Sequence, residues 1–191
     1  MQGRFAPTIA ITDDRAILRA ASDPMKVIGL IGASALGKSR FVEDLIHAFR
    51  FEGWSVSTIK RAPDGFDLDQ PGKTSYARRE AGCREVMLVG DKRLVLMREF
   101  GADLDPSLDS LLARLAPADV VIVEGFKTAT IPTIEVCVPS SGREYRFPRN
   151  KHIVVLVSDE PIEAPLPRFR VADVAGLVDH LSRVMGLPHH A

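Results

Sequence analysis

Two hydrophobic periods alternate along this chain, and the switches between them lay out a single α/β domain. Residues 26–31, Lys-Val-Ile-Gly-Leu-Ile, read as a short buried strand. Phe41, Val42, Leu45, Ile46 and Phe49 then recur at helical spacing, with Glu43, Asp44, His47 and Arg50 on the opposite face. Gly53 stops that helix, and residues 54–60 read as a second strand. Residues 74–82 predict a helix with Gly82 as its C-cap. Residues 85–89 and 93–98 read as strands joined by Gly90-Asp91-Lys92. Asp105-Pro106 opens a helix expected to run to Leu115. Residues 120–123 and 153–157 are continuous apolar runs, as buried strands are, and residues 133–138 between them are expected to add an edge strand. The last helix is expected over 171–185, with Val174, Leu177, Val178 and Leu181 on one face. This order predicts an α/β fold, a mostly parallel sheet with helices on both faces, whose ligand sits at the C-terminal strand ends.

The pattern begins at Met25. Residues 1–24 are expected to form an N-terminal extension, with Pro7 and Pro24 flanking a weakly amphipathic stretch, and residues 25–187 the folded domain. A chain of 191 residues accommodates one such domain with a sizeable core.

Between the first strand and the first helix stands Gly32-Ala33-Ser34-Ala35-Leu36-Gly37-Lys38-Ser39, the pattern G-x-x-x-x-G-K-[ST]. Strand, glycine-bounded loop and helix form the context that this motif requires. The glycines let the backbone curl until several N–H groups face a phosphate chain, and the helix N-terminus adds its partial positive charge. Lys38 reaches toward terminal phosphates, and the Ser39 hydroxyl is a magnesium ligand. Lys38 is expected to face solvent when no ligand is bound. The arrangement predicts a phosphate-loop nucleotide-binding fold.

Other residues change the picture by degrees. Glu124 ends the 120–123 strand, where a carboxylate beside the loop can hold Mg²⁺ directly or through water, or simply be solvated. In Asp67-Leu68-Asp69-Gln70-Pro71-Gly72-Lys73 the two carboxylates are spaced to point the same way in an extended segment. They either meet metal-bound waters or form a solvated acidic turn, and Lys73 either caps a phosphate or lies at the surface. Asp159 follows the 153–157 strand. It either accepts two hydrogen bonds from guanine or holds a turn before Pro161. Arg143, Arg146, Arg149, Lys151 and His152 supply loop cations able to grip a phosphorylated second substrate, or a solvated loop.

Charge adds an exclusion. Twenty-five Lys and Arg balance 25 Asp and Glu, so no global field draws the chain to nucleic acid or anionic lipid. The two cysteines, Cys83 and Cys137, lack metal-ligand spacing and read as thiols of a reducing compartment. No apolar run approaches the roughly 20 residues that span a bilayer, and a cytoplasmic location is expected.

Taken in order, Gly32 to Ser39, Asp67-x-Asp69-x-Pro71-Gly72-Lys73-x-Ser75-Tyr76, Ala81-Gly82, Glu124-Gly125-Phe126-Lys127 and Val157-Ser158-Asp159 resemble the molybdopterin-guanine dinucleotide biosynthesis protein B (MobB) family. The resemblance covers about residues 25–185 and rests most on the D-x-D-x-P-G-K-x-S-Y block with V-E-G-F-K. It implies a GTP-binding, Mg²⁺-dependent, weakly hydrolysing homodimer that assists the guanylyltransferase converting molybdopterin cofactor to its guanine dinucleotide form. The residues then expected on the nucleotide are Gly32, Ala33, Ser34, Ala35, Leu36, Gly37, Lys38, Ser39 and Arg40, with Asp67, Asp69, Lys73 and Asp159. Lys38 and Glu124 are the expected catalytic pair, and Ser39 and Glu124 the metal ligands. The chain departs from the family at Ala35-Leu36, at Ser39 and Arg40, where threonines are usual, and at Thr74. It also carries Arg61-Ala62-Pro63-Asp64-Gly65 where histidines are usual. A small-molecule kinase using the same loop, and an adaptor that binds GTP without hydrolysing it, are the alternative functions.

Overall fold

A computed structural model describes residues 24–32, 38–62, 65–66, 68–100, 105–126 and 129–187. Residues 1–23 of the expected extension, loop residues Ala33 to Gly37, and Asp67 therefore lie outside the described residues. The chain divides into two units: residues 61–114 form one, and the remainder the other.

The larger unit is built on a six-stranded sheet. Its strands are β1 (Lys26–Gly32), β2 (Val56–Lys60), β5 (Val120–Glu124), β6 (Thr133–Val136), β7 (Ile153–Val157) and β8 (Arg168–Phe169). They lie in the order β2-β5-β1-β6-β7-β8, and every pairing is parallel. Parallel strands buried on both faces read as unbroken apolar runs, which is how Val120 to Val123 and Ile153 to Val157 announce themselves. Two helices, α1 (Lys38–Phe51) and α4 (Val174–Met185), pack on one face. Phe41, Leu45 and Phe49 of α1 and Leu177 and Leu181 of α4 meet Ile28, Leu30, Ile122 and Val155 in the main core. On the opposite face Ile31, Ile153 and Leu156 are covered by Tyr145, Phe147, Ile162 and Leu166, which lie in irregular segments. Where β2 and β5 begin, Asp119 ties the strands: its carboxylate accepts from the Ser55 N–H at 2.7 Å and the Ser55 hydroxyl at 2.6 Å.

The sequence expectation for residues 133–138 needs correcting. β6 is not an edge strand; it lies between β1 and β7 and all its residues are buried. The Glu135 carboxylate in its middle is satisfied internally, by the backbone N–H groups of Arg146 and Phe147. The terminal strand β8 was not expected, being only two residues long.

Helix starts also moved, for local reasons. α4 begins at Val174 because Asp173 caps it, accepting from the Gly176 N–H at 3.2 Å. In the smaller unit, α3 (Leu108–Leu112) begins after Ser107, whose hydroxyl accepts from the Ser110 N–H. That unit also holds α2 (Thr74–Glu80) and the antiparallel hairpin β3 (Glu85–Gly90) and β4 (Arg93–Arg98). Gly82, with φ of +89°, follows the C-terminus of α2 as expected. Among the described residues no helix is long and apolar enough to cross a membrane.

Candidate functional site

The sheet order places a break beside β1. The strand that follows β1 in sequence, β2, lies on one side of it beyond β5, while β6 pairs on the other. In open parallel sheets a crevice forms outside the carboxyl ends of strands at such a switch point. Gly32 ends β1 there. Its φ is +139°, and a Cβ at this position would run into the Val136 carbonyl oxygen and sit 3.0 Å from the Val136 Cβ. Glycine is thus required twice, by conformation and by the close approach of β6.

α1 starts with Lys38, Ser39 and Arg40 and carries no acid in its first turn. Two cations at a helix N-terminus oppose the macrodipole by about 0.3–1 kcal/mol each, an arrangement that an anion in front of the helix would offset. Ser39 and Arg40 are exposed, and the Arg40 Nε lies 3.1 Å from Asp44 one turn on.

Lys38 does not face solvent, contrary to the sequence expectation. Its side chain is 20% exposed, and its Nζ lies 3.6 Å from Glu124 Oε2. Glu124 is the last residue of β5, in register with Leu30 of β1, and its side chain is 12% exposed. The parallel pairing of β1 and β5 carries this acid to the lysine across 86 positions of sequence, from 38 to 124. The pair is too long for a tight hydrogen bond, so both groups retain capacity for other partners.

The Glu124 carboxylate, and the Ser39 hydroxyl at the start of α1, are hard oxygens of the kind that could hold Mg²⁺. Among the described residues no three His, Cys, Asp or Glu side chains converge on one point. A magnesium ion here would therefore rely on ligand phosphates and water for the rest of its shell, as this ion commonly does.

Asp159 follows β7, at the same end of the sheet. Its Oδ1 accepts from the Val171 N–H at 3.0 Å and lies 3.8 Å from Arg170 Nε, while the side chain stays 57% exposed. Beside it the fully buried Ser158 hydroxyl donates to the Glu160 carbonyl at 2.9 Å. Asp69 and Lys73 belong to the smaller unit. Asp69 Oδ1 accepts from the Ser75 hydroxyl at 2.9 Å and the Gln70 N–H at 3.1 Å, and Arg79 Nε lies 3.7 Å from Oδ2. Its carboxylate thus serves the start of α2. Lys73 precedes that helix and is exposed.

Sequence reasoning missed Glu135. This acid is 4% exposed in the centre of the sheet, and it accepts from the backbone N–H groups of Arg146 at 2.8 Å and Phe147 at 2.9 Å. A charge between the apolar residues Ile134 and Val136 was the available signal. Burial, and after it the Glu135 charge, pushes the neighbouring Cys137 thiol up to about 12. Glu135 also helps line a cavity of about 250 Å³ together with Gly32, Lys38, Gly125, Arg143 and Arg146.

Comparison with known proteins agrees with this frame. Residues 27–159 match the family model described as molybdopterin guanine dinucleotide synthesis protein B. The molybdopterin-guanine dinucleotide biosynthesis adapter protein of Escherichia coli (strain K12) is 30% identical over 149 residues, covering 76% of this chain and 85% of that protein. The adapter protein of the same name from Haemophilus influenzae is 34% identical over 115 residues, 59% of this chain and 64% of its own length. Among solved structures, the crystal structure of molybdopterin-guanine biosynthesis protein B superposes with a TM-score of 0.65 at 22% identity, covering 83% of this chain and 99% of that one. A MobB homologue from Bacillus stearothermophilus gives 0.62 at 25% identity, covering 86% and 100%.

Proposed function

The chain belongs to the molybdopterin guanine dinucleotide synthesis protein B (MobB) family, and on that premise we propose that it binds GTP with Mg²⁺ at the loop between β1 and α1. In this reading it acts as an adapter to the guanylyltransferase that turns molybdopterin cofactor into its guanine dinucleotide form. The observation that carries the nucleotide reading is the meeting of Lys38, the first residue of α1, and Glu124, the last residue of β5, 3.6 Å apart. A lysine beside the crevice supplies positive charge for terminal phosphates, and the carboxylate next to it supplies a metal ligand. Lys38 would hold the terminal phosphates of a bound nucleotide, and Glu124 and the Ser39 hydroxyl would be the protein oxygens that hold the ion. Bound magnesium contributes charge neutralisation at the phosphates. Asp159 is the residue proposed to read guanine, through the carboxylate edge that Val171 does not occupy. Weak hydrolysis follows from the same parts.

A homodimer is proposed through the smaller unit. In the β3–β4 hairpin, Met87 pairs with Leu96 and Val89 with Leu94, and these four apolar side chains on one face are 45–58% exposed. An isolated two-stranded ribbon is marginal in water, and a second copy of the same apolar face would shield it.

The test is affinity and turnover of GTP and ATP at varied Mg²⁺, on the native protein and on Glu124→Gln. The amide keeps the size of Glu124 but not its charge, so turnover at limiting Mg²⁺ should fall more than nucleotide affinity. Failure of the native protein to bind either nucleotide would overturn the proposal. Tight GTP binding without turnover would leave the adapter role and remove the GTPase role.

A further inference from the structure

The cavity beside Lys38 is built on the face of the sheet opposite α1 and α4. Its floor is Glu135, whose two oxygens hold the backbone of Arg146 and Phe147 against β6. A buried carboxylate that accepts from two successive N–H groups of one loop is a clamp: it fixes where Arg146 and Phe147 stand. Tyr145 and Phe147 stack at 5.6 Å between ring centres, stiffening the same segment. Arg143 and Arg146 of that loop line the cavity, as do Gly32, Lys38 and the Glu144 carboxylate. Arg149 is committed to Glu144 at 3.1 Å. Among the described residues no carboxylate pairs with the guanidinium of Arg143 or Arg146. Tyr145 and Arg146 also border a second cavity of about 560 Å³, which reaches Arg149 and His152.

We infer that this cavity is the site of a second ligand, a phosphorylated small molecule held beside the nucleotide with its phosphate between Arg143 and Arg146. Two guanidinium groups present fork-shaped donor sets that match phosphate oxygens. A volume of about 250 Å³ suits a phosphate with a small group attached, and the adjoining cavity leaves room for the rest of a larger molecule. Lys38 stands at the border of this cavity and the phosphate loop, so the second ligand would lie next to the terminal phosphates. The inference rests on the nucleotide reading only for that neighbour; the pocket and its cations stand without it.

Phenyl phosphate is the probe, titrated calorimetrically into the full chain with and without saturating GTP and Mg²⁺. The expected result is binding under both conditions. Arg143→Ala/Arg146→Ala should weaken it by about tenfold or more, while GTP affinity changes by less than about twofold. Both side chains are exposed, so the fold should survive, and Arg143→Lys/Arg146→Lys should restore part of the affinity. No binding of phenyl phosphate, displacement of it by GTP, or equal weakening of both ligands would overturn the inference. If GTP itself failed to bind the native protein, the nucleotide reading would fall, and the arginine dependence of phenyl phosphate would still decide this one.

Discussion

Replacing Lys38 with alanine should do two separable things, and the pair with Glu124 sets the size of both. Coulomb's law over the 3.6 Å separation gives about 1 kcal/mol in bulk water and about 5 kcal/mol at an effective dielectric near 20. With the two side chains 20% and 12% exposed, the environment lies between these limits. Removing one partner of a buried pair costs about 3–5 kcal/mol, and partial exposure brings that to roughly 2–3 kcal/mol. Taking a cation from a helix N-terminus returns about 0.3–1 kcal/mol. Lys38→Ala should therefore lose about 2 kcal/mol of stability without ligand, a melting temperature lower by about 4–8 °C for a domain of this size. The assay is urea unfolding of the native protein, Lys38→Ala, Glu124→Gln and the double variant, read as a double-mutant cycle. A coupling of about 1–3 kcal/mol is expected. GTP affinity of folded Lys38→Ala should fall by about tenfold or more, because the main counter-charge to the phosphates is gone. A coupling below about 0.5 kcal/mol would refute the ion-pair argument, and native affinity in Lys38→Ala would refute the phosphate-loop reading.

Three further outcomes follow from other groups. Asp159→Asn should erode a preference for GTP over ATP, since charge-assisted bonds of about 1.5–3 kcal/mol each are at stake; XTP should gain relative to GTP, and equal loss for all three would mean that Asp159 only holds Val171. Glu135→Gln turns an NH₂ group toward one of the two backbone donors and should cost about 1–3 kcal/mol; an unfolding free energy within about 0.5 kcal/mol of native would show that the clamp carries no energy. The Cys137 thiol, raised from 9.0 to about 12, keeps its proton in the folded state while the unfolded thiol loses one. Its contribution is thus fully present below pH 9 and is lost as pH rises from there toward 12, and Cys137→Ala should flatten the alkaline fall in an unfolding titration.

Much of the fold was legible because local rules and tertiary demand agree in it. Val120 to Val123 of β5 and the whole of β7 are unbroken runs of Val, Ile and Leu because both faces of a parallel strand are buried. The 3.6-residue recurrence of Phe41, Leu45 and Phe49 is the stripe that α1 lays on the sheet. The phosphate-loop spacing was likewise visible, since Gly32 and Lys38 answer to backbone conformation and charge within one strand-loop-helix unit. What sequence reasoning lacked was strand order. Residues 133–138 were expected to add an edge strand, and only the pairing of β6 with both β1 and β7 reveals an interior strand. The energy that permits a carboxylate there comes from the N–H groups of Arg146 and Phe147, eleven and twelve residues away. Glu124 was expected beside the loop, but its ion pair with a largely covered Lys38 comes from the register of β5 on β1. Periodicity determines which residues are inward, and motif spacing marks the glycine-bounded segment between β1 and α1. Which charges meet is decided by parallel pairing between distant segments, because electrostatic energy depends on separation in space and chain order does not encode it.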